Sequence, residues 1–318
     1  MRNLETTLPS PSELGIWQKC QTRWVFEYGL GWKPREKGIG LVVGAGCSEA
    51  LSYYYQEEQV EVVGEVAITV YNSYVTKEKE KLPNISDEEW LPAINCGREV
   101  LKLYCNTYER RPKNWNILGV QVRLEKPAPM VLDMLVEQVD TEEVVVVEQK
   151  TINPFADLEF EILKYQMGWQ PICYTVGAAE HLGRPVYKVI MDWLVKGSPA
   201  KRVNGRQYKA IAPALERKEI TVEPWKQEMW WSTATYENAL MRQMREELEY
   251  GSAELVMLPK KTESCVFQLG RKTFQCPFYL ACSVNMHPEG MTELLVNKRE
   301  ERDEPKSSSS VGEVGAGG

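Results

Sequence analysis

The chain has 318 residues, 43% of them hydrophobic, with a formal net charge of −7. That is enough apolar material for a packed core and excludes a disordered chain. The acidic balance excludes a protein that coats duplex DNA by bulk charge, but not an enzyme that needs carboxylates to hold cations. No apolar run reaches the roughly 18 residues needed to cross a bilayer. The opening MRNLETTLPSPSELG lacks the apolar stretch of a secretory signal, so a cytoplasmic location (the host cytoplasm for a viral protein) with no membrane partner is expected. Eight cysteines stand against two histidines, which leaves thiolates and carboxylates as the candidate ligands and weakens any histidine-based chemistry.

Residues 1–10 read as a loose start. A helix is predicted over Ser12–Tyr28, with Ser12 as N-cap and Glu13 in the first turn. A second helix is predicted over about Ala45–Glu57. The charged stretch 77–88, with Pro83 and Asn84, reads as a loop, and a helix follows over about Asp87–Tyr108. Three strands come next, Asn116–Leu124, Met130–Gln138 and the valine-rich Val144–Thr151. The polar Asp140–Glu143 turns the last two into a hairpin. Phe160–His181 reads as a helix that Pro171 kinks or restarts and that Gly183 and Pro185 end. Val186–Val195 is a fourth strand. The order β-β-β-α-β, with helices before it, makes an α/β core. A basic, irregular stretch over Lys196–Lys218 precedes a long helix over about Pro224–Tyr250. A compact cysteine-bearing segment, Cys265–Cys282, comes after it. Residues 299–318 are charged, then rich in Ser and Gly, and read as a disordered tail.

The chemistry concentrates in two strands. Asp133 is a lone acid within MVLDMLVEQ, a costly place for a charge without a partner. Glu148 and Lys150 end the next strand in VVVVEQKT. Strand alternation turns both to one face and Gln149 to the other, and a hairpin can bring Asp133 alongside Glu148. Two carboxylates and a lysine at one sheet end suit phosphodiester hydrolysis. A hard cation, Mg²⁺ or Mn²⁺, takes oxygen ligands, polarises the phosphate and acidifies a water, and an ammonium stabilises the developing charge. The Gln149 carbonyl is a further possible ligand. The plain alternative is a charged strand end, since E-x-K also arises by chance.

An Asp on one strand, 14 intervening residues, then E-x-K and Thr resembles the PD-(D/E)XK nucleases. It looks most like their RecB-like branch, including CRISPR-associated RecB-like exonucleases and related phage exonucleases. That branch carries Q-x-x-x-Y on the helix after the E-x-K strand, and Gln170 and Tyr174 stand at that spacing. The resemblance implies a restriction-endonuclease-like core, a mixed β-sheet flanked by helices. It implies a helical N-terminal part (about 12–110), the core (about 115–196) and a C-terminal helix with a cysteine-bearing segment (about 222–285). All would form one nuclease domain over 1–298. It implies a metal held by Asp133, Glu148 and Gln149, catalysis by Asp133, Glu148 and Lys150, and support from Gln170 and Tyr174. Two departures stand out. Ser48 sits where the branch often has a histidine after a glycine, here Gly44, leaving Glu49 as a possible substitute. Met130 replaces a glycine often found three residues before the Asp.

Cys20 lies before the core, and Cys265, Cys276 and Cys282 lie after it, the last two as C-P-F-Y-L-A-C. The iron–sulfur members of the branch resemble this, with one cysteine before the core and three after it holding a [4Fe–4S] cluster. Thr273 replaces the first residue of their usual C-x-x-C, so Cys265 would serve from further upstream. A zinc site with four thiolates and unconnected thiols are the alternatives. Cys47, Cys96, Cys105 and Cys173 read as buried small hydrophobes. Two basic clusters, Arg110, Arg111 and Lys113, then Lys196, Lys201, Arg202, Arg206 and Lys209, could track a DNA backbone. The expected function is a Mg²⁺- or Mn²⁺-dependent deoxyribonuclease, an exonuclease on single strands or duplex ends. The alternative is a cluster-bearing DNA-binding or assembly protein with little or no catalysis.

Overall fold

In a computed structural model, the described residues are 7–34, 38–56, 63–203, 206–250, 266–269, 272–276, 278 and 295–297. The expected tail and two of the candidate cluster ligands, Cys265 and Cys282, lie outside them. The chain divides into two compact units, Met1–Gly15 with Glu36–Gln243, and Ile16–Arg35 with Met244–Gly318.

The larger unit is built on a five-stranded mixed sheet flanked by helices. Its helices and strands follow in order as α3 (Ile39–Gln56), α4 (Val63–Glu80), α5 (Asp87–Thr107), β2 (Trp115–Leu124), β3 (Met130–Gln138), β4 (Val144–Ile152), α6 (Leu158–Gln166), α7 (Trp169–Leu182), β5 (Lys188–Val195), β6 (Lys201–Val203), β7 (Arg206–Tyr208) and β8 (Ala214–Thr221). Helix α1 (Pro11–Lys19) precedes them, and α8 (Pro224–Glu249) follows. The strand order is β2-β3-β4-β5-β8, with only β4 and β5 parallel. A parallel pair needs a crossover, and α6 with α7 supplies it. Val144, Val145, Val146 and Val147 are all buried, so β4 is covered on both faces, as a central strand must be. Each such side chain contributes about 1.5 kcal/mol or more.

The core on one face of the sheet is made by α3, α4 and α5 over Met134, Val136, Val145, Val147, Ile190 and Leu194. Helix α7 packs on the sheet as well, with every residue from Pro171 to Ala178 buried. Helix α5 starts where the sequence expects, with Ser86 as N-cap accepting the Glu89 N–H.

Three expectations need correction. First, Ser12–Tyr28 is not one helix. Pro11 occupies the first helical position and the Ser10 hydroxyl accepts the Glu13 N–H, so the start lies two residues earlier than expected. The helix breaks at Cys20, whose backbone is extended (φ −162°), before α2 (Gln21–Trp24) and a π-helical stretch, Val25–Gly29. Second, α4 runs through Glu80, into the stretch expected as a loop. Third, β8 forms inside the stretch expected to be irregular.

In the smaller unit β1 (Trp32–Pro34) pairs with β11 (Leu295–Asn297), and β9 (Val266–Leu269) pairs with β10 (Lys272–Gln275). Phe26, Trp32, Phe278 and Leu295 form its apolar cluster, with Cys276 packed against it. Among the described residues no helix is long and apolar enough to cross a membrane.

Candidate active site

The antiparallel register of β3 and β4 ends its ladder at Met134 opposite Val147. One step further, Asp133 faces Glu148 across the pair, on the same side of the sheet. The ladder gives way here to a side chain, because the Gln149 backbone N–H donates to Asp133 Oδ2 at 2.9 Å. Gln121 Nε2 on β2 donates to Asp133 Oδ1 at 3.1 Å.

Glu148 and Lys150 share a face, and α6 and α7 supply their partners. Lys150 Nζ donates to Glu148 Oε1 at 2.8 Å and to Gln170 Oε1 at 3.1 Å. Gln170 Nε2 reaches Glu148 Oε1 at 3.2 Å and the Tyr174 hydroxyl at 2.6 Å. Gln170 falls in the first turn of α7 because Gly168 is the N-cap. Pro171 then sits in the first turn of α7, where its missing N–H costs little, so the helix restarts around Pro171 rather than kinking. The five residues singled out as catalytic thus form one connected group.

Glu148 is only 4% exposed. Its Oε1 is crowded with donors, while Oε2 is buried with no hydrogen-bond partner among the described residues. Burial, then the neighbouring Asp133, pushes the carboxyl up to about 8 against the pull of Lys150. Two opposed carboxylates, one buried oxygen without a donor and an all-oxygen ligand set fit a hard divalent cation. Among the described residues no group of three or more His, Cys, Asp or Glu converges. The ion's other donors would be the Gln149 carbonyl and water. Glu49 is exposed on α3. That helix approaches β4 through Gly44, where a Cβ would lie 3.0 Å from Thr151 Oγ1, on the face opposite Glu148.

Sequence reasoning missed two neighbours and one network. Tyr165, on α6, is buried with Lys150 Nζ 5.5 Å above its ring and Trp193 at its edge, and its hydroxyl has no partner among the described residues. No spacing marks it, because the break between α6 and α7 disrupts any periodicity with Gln170. Gln121 lies in an ordinary strand pattern. On the far face, Asp192 of β5 is buried and accepts from Arg217 Nε (2.5 Å) and Nη2 (2.6 Å) of β8. It also accepts from the Tyr104 hydroxyl at 2.6 Å. Gln149 Nε2 donates to Tyr104 at 3.4 Å, so the middle residue of E-x-K anchors the strand to this network. Gln149, Asp192 and Arg217 are register partners on three adjacent strands.

Comparison with protein families matches residues 9–283 to the PD-(D/E)XK nuclease superfamily. The chain belongs to that superfamily. The restriction-endonuclease-like architecture of this PD-(D/E)XK nuclease is thereby accounted for: a five-stranded mixed sheet flanked by helices. Among solved structures it is similar to the crystal structure of the "Putative exonuclease" from Eubacterium rectale. Identity is 12%, each chain is covered to 87%, and the TM-score is 0.46. No curated protein matches it.

The remaining cysteines divide. Cys47 and Cys173 are buried as expected, and burial pushes the Cys47 thiol up to about 12. Cys96 and Cys105 are only half-buried, a correction to their reading as core residues. Cys20 is buried and Cys276 half-buried, and both belong to the smaller unit. Of the basic clusters, Lys113 and Lys209 are exposed. Lys196 is half-buried, and burial holds its ammonium below the usual lysine range.

Proposed function

We propose that this nuclease hydrolyses DNA phosphodiester bonds as an exonuclease, on single strands or duplex ends, with Mg²⁺ or Mn²⁺ held by Asp133, Glu148 and the Gln149 carbonyl. The observation that carries this is the pairing of Asp133 with a buried Glu148 whose second oxygen lacks a donor, beside Lys150. When bound, the ion polarises the scissile phosphate and acidifies a water. Lys150 then offers its ammonium to the charge that develops on the phosphate. Gln170 keeps Lys150 and Glu148 in register, and Tyr174 holds Gln170. Gln121 and the Gln149 N–H hold the Asp133 carboxylate.

We further propose membership of the RecB-like branch and a structural [4Fe–4S] cluster on Cys20, Cys265, Cys276 and Cys282. In support, Cys20 and Cys276, 256 positions apart in the sequence, fall in one compact unit.

The test uses anaerobically purified protein, end-labelled single- and double-stranded DNA, and Mg²⁺ or Mn²⁺. Cleavage from an end should occur with either ion and stop in EDTA. Asp133→Ala and Lys150→Ala should each lose roughly a hundredfold or more in rate with thermal unfolding little changed. Full activity in either variant, or in EDTA, would refute the assignment.

A further inference from the structure

Gln121 is held in a backbone conformation that its side chain does not favour. Its φ is +52°, in the left-handed region where a residue with a Cβ is strained and glycine or asparagine is usual. The strain interrupts a good strand. Val120 pairs with Met134 and Val122 with Leu132, so Gln121 is the one position skipped between them, and it stands opposite Asp133. The backbone is also tight just upstream. The register shifts between Ile117 and Gly119, and a Cβ at Gly119 would lie 2.7 Å from Val122 Cγ2. A glycine at 121 would relieve the strain. The residue present keeps it and uses its amide to donate to Asp133 Oδ1. Strain retained beside a chemical group, with a specific contact made from the strained residue, is the pattern of a functional constraint.

We propose that Gln121 is a positioning residue that orients Asp133 for the divalent cation; this rests on the metal-site reading above. The chemistry of the donor matters. A neutral amide fixes a carboxylate without neutralising it, whereas a lysine or arginine at the same place would compete with the ion. With Gln121 on Oδ1 and the Gln149 N–H on Oδ2, the plane of the carboxylate is set from both sides. Each oxygen retains a lone pair for a ligand.

The experiment compares wild type with Gln121→Gly and Gln121→Ala. It measures Mn²⁺ binding by calorimetry and thermal unfolding of the metal-free protein, with no substrate present. Both variants should bind Mn²⁺ roughly tenfold more weakly or worse, the usual cost of losing a ligand's hydrogen-bond partner. Gln121→Gly should nevertheless unfold at the same or a higher temperature than wild type, because it relieves the strain. Gln121→Ala, which keeps the Cβ, should not gain. A purely structural bulge would show the same stability pattern with Mn²⁺ affinity unchanged, and that result in the glycine variant overturns the inference. Asp133→Asn is the control for the underlying reading. If it binds Mn²⁺ as tightly as wild type, the metal-site assignment itself fails, which is a different outcome from unchanged binding in the Gln121 variants alone.

Discussion

Glu148 carries the sharpest electrostatic consequence. Its carboxyl is raised to about 8 in the metal-free fold, from an ordinary value near 4.5, by burial and by Asp133. The folded chain therefore binds a proton that the unfolded chain releases between those two values. The contribution to stability is undiminished below pH about 4.5, declines as pH rises, and is lost above about 8. Glu148→Gln should then unfold near the wild-type temperature at pH 5 but distinctly higher at pH 9, both without metal. A wild-type chain as stable at pH 9 as its glutamine variant would contradict a buried, charged Glu148. Metal binding at the proposed site would also have to expel the proton. Calorimetry in buffers of different ionisation heat should show release of about one proton per Mn²⁺ at pH 7 and almost none at pH 9. Residues of this kind were legible in the sequence because strand alternation alone puts Glu148 and Lys150 on one face. Gln121 and Tyr165 were not, since a left-handed backbone and an orphaned hydroxyl leave no mark on a hydrophobic pattern.

At the scale of elements, the sequence was readable where local pattern and burial agree. Strand β3 has the bounds expected of it, and β4 differs by one residue, because a run of valines bounded by a polar turn admits little else. Helix α4 was missed because VGEVAITVYNSY is rich in β-branched residues, poor helix formers on their own. Packing against α3 and α5 overrides that preference. Tyr71 of α4 is fully buried, and its hydroxyl donates to the Ile94 carbonyl. Strand β8 was missed because its inward-facing residue at the network is Arg217, a charge where the pattern expects an apolar side chain. Asp192 makes that charge tolerable, and β8 is an edge strand, where charged residues are common. The α3–α4–α5 layer gives a test of packing against propensity. Alanine in a helix interior is worth about 1 kcal/mol over glycine. At Gly97 of α5, however, a Cβ would collide with the Tyr71 hydroxyl and lie 2.7 Å from Val43 Cγ1. Overpacking should dominate, so Gly97→Ala is expected to destabilise by about 1–3 kcal/mol, read from denaturant unfolding. A stabilised variant would mean that the helices separate more easily than this packing allows.

At the scale of the whole chain, the smaller unit is where a segment near the N-terminus, Ile16–Arg35, and the C-terminal part, Met244–Gly318, enter one compact body. Described contacts within it include the β1–β11 pair and the Phe26–Phe278 ring contact. Among the described residues, two strand pairs and one small apolar cluster are a modest core, and small cores often rely on a metal centre for stability. The proposed cluster would supply that, closing a loop that spans nearly the whole core. Protein made without oxygen should then be brown, with about four irons per chain. Cys20→Ser is the decisive variant. Cys20 caps α2, its Sγ accepting the Arg23 N–H at 3.5 Å. Serine is a strongly preferred N-cap, so this substitution keeps or improves the local helix start while removing a thiolate. Loss of iron in Cys20→Ser therefore cannot be traced to an unravelled α2 and points to a lost ligand. Cys173→Ser, in the core of the larger unit, should keep the colour. Limited proteolysis should release the C-terminal segment sooner in Cys20→Ser than in Cys173→Ser, because only the first loosens the join between the ends. Unchanged iron in Cys20→Ser would remove the N-terminal segment from the centre. A colourless wild type holding zinc would replace iron with a four-thiolate zinc site, leaving the same join between the ends of the chain.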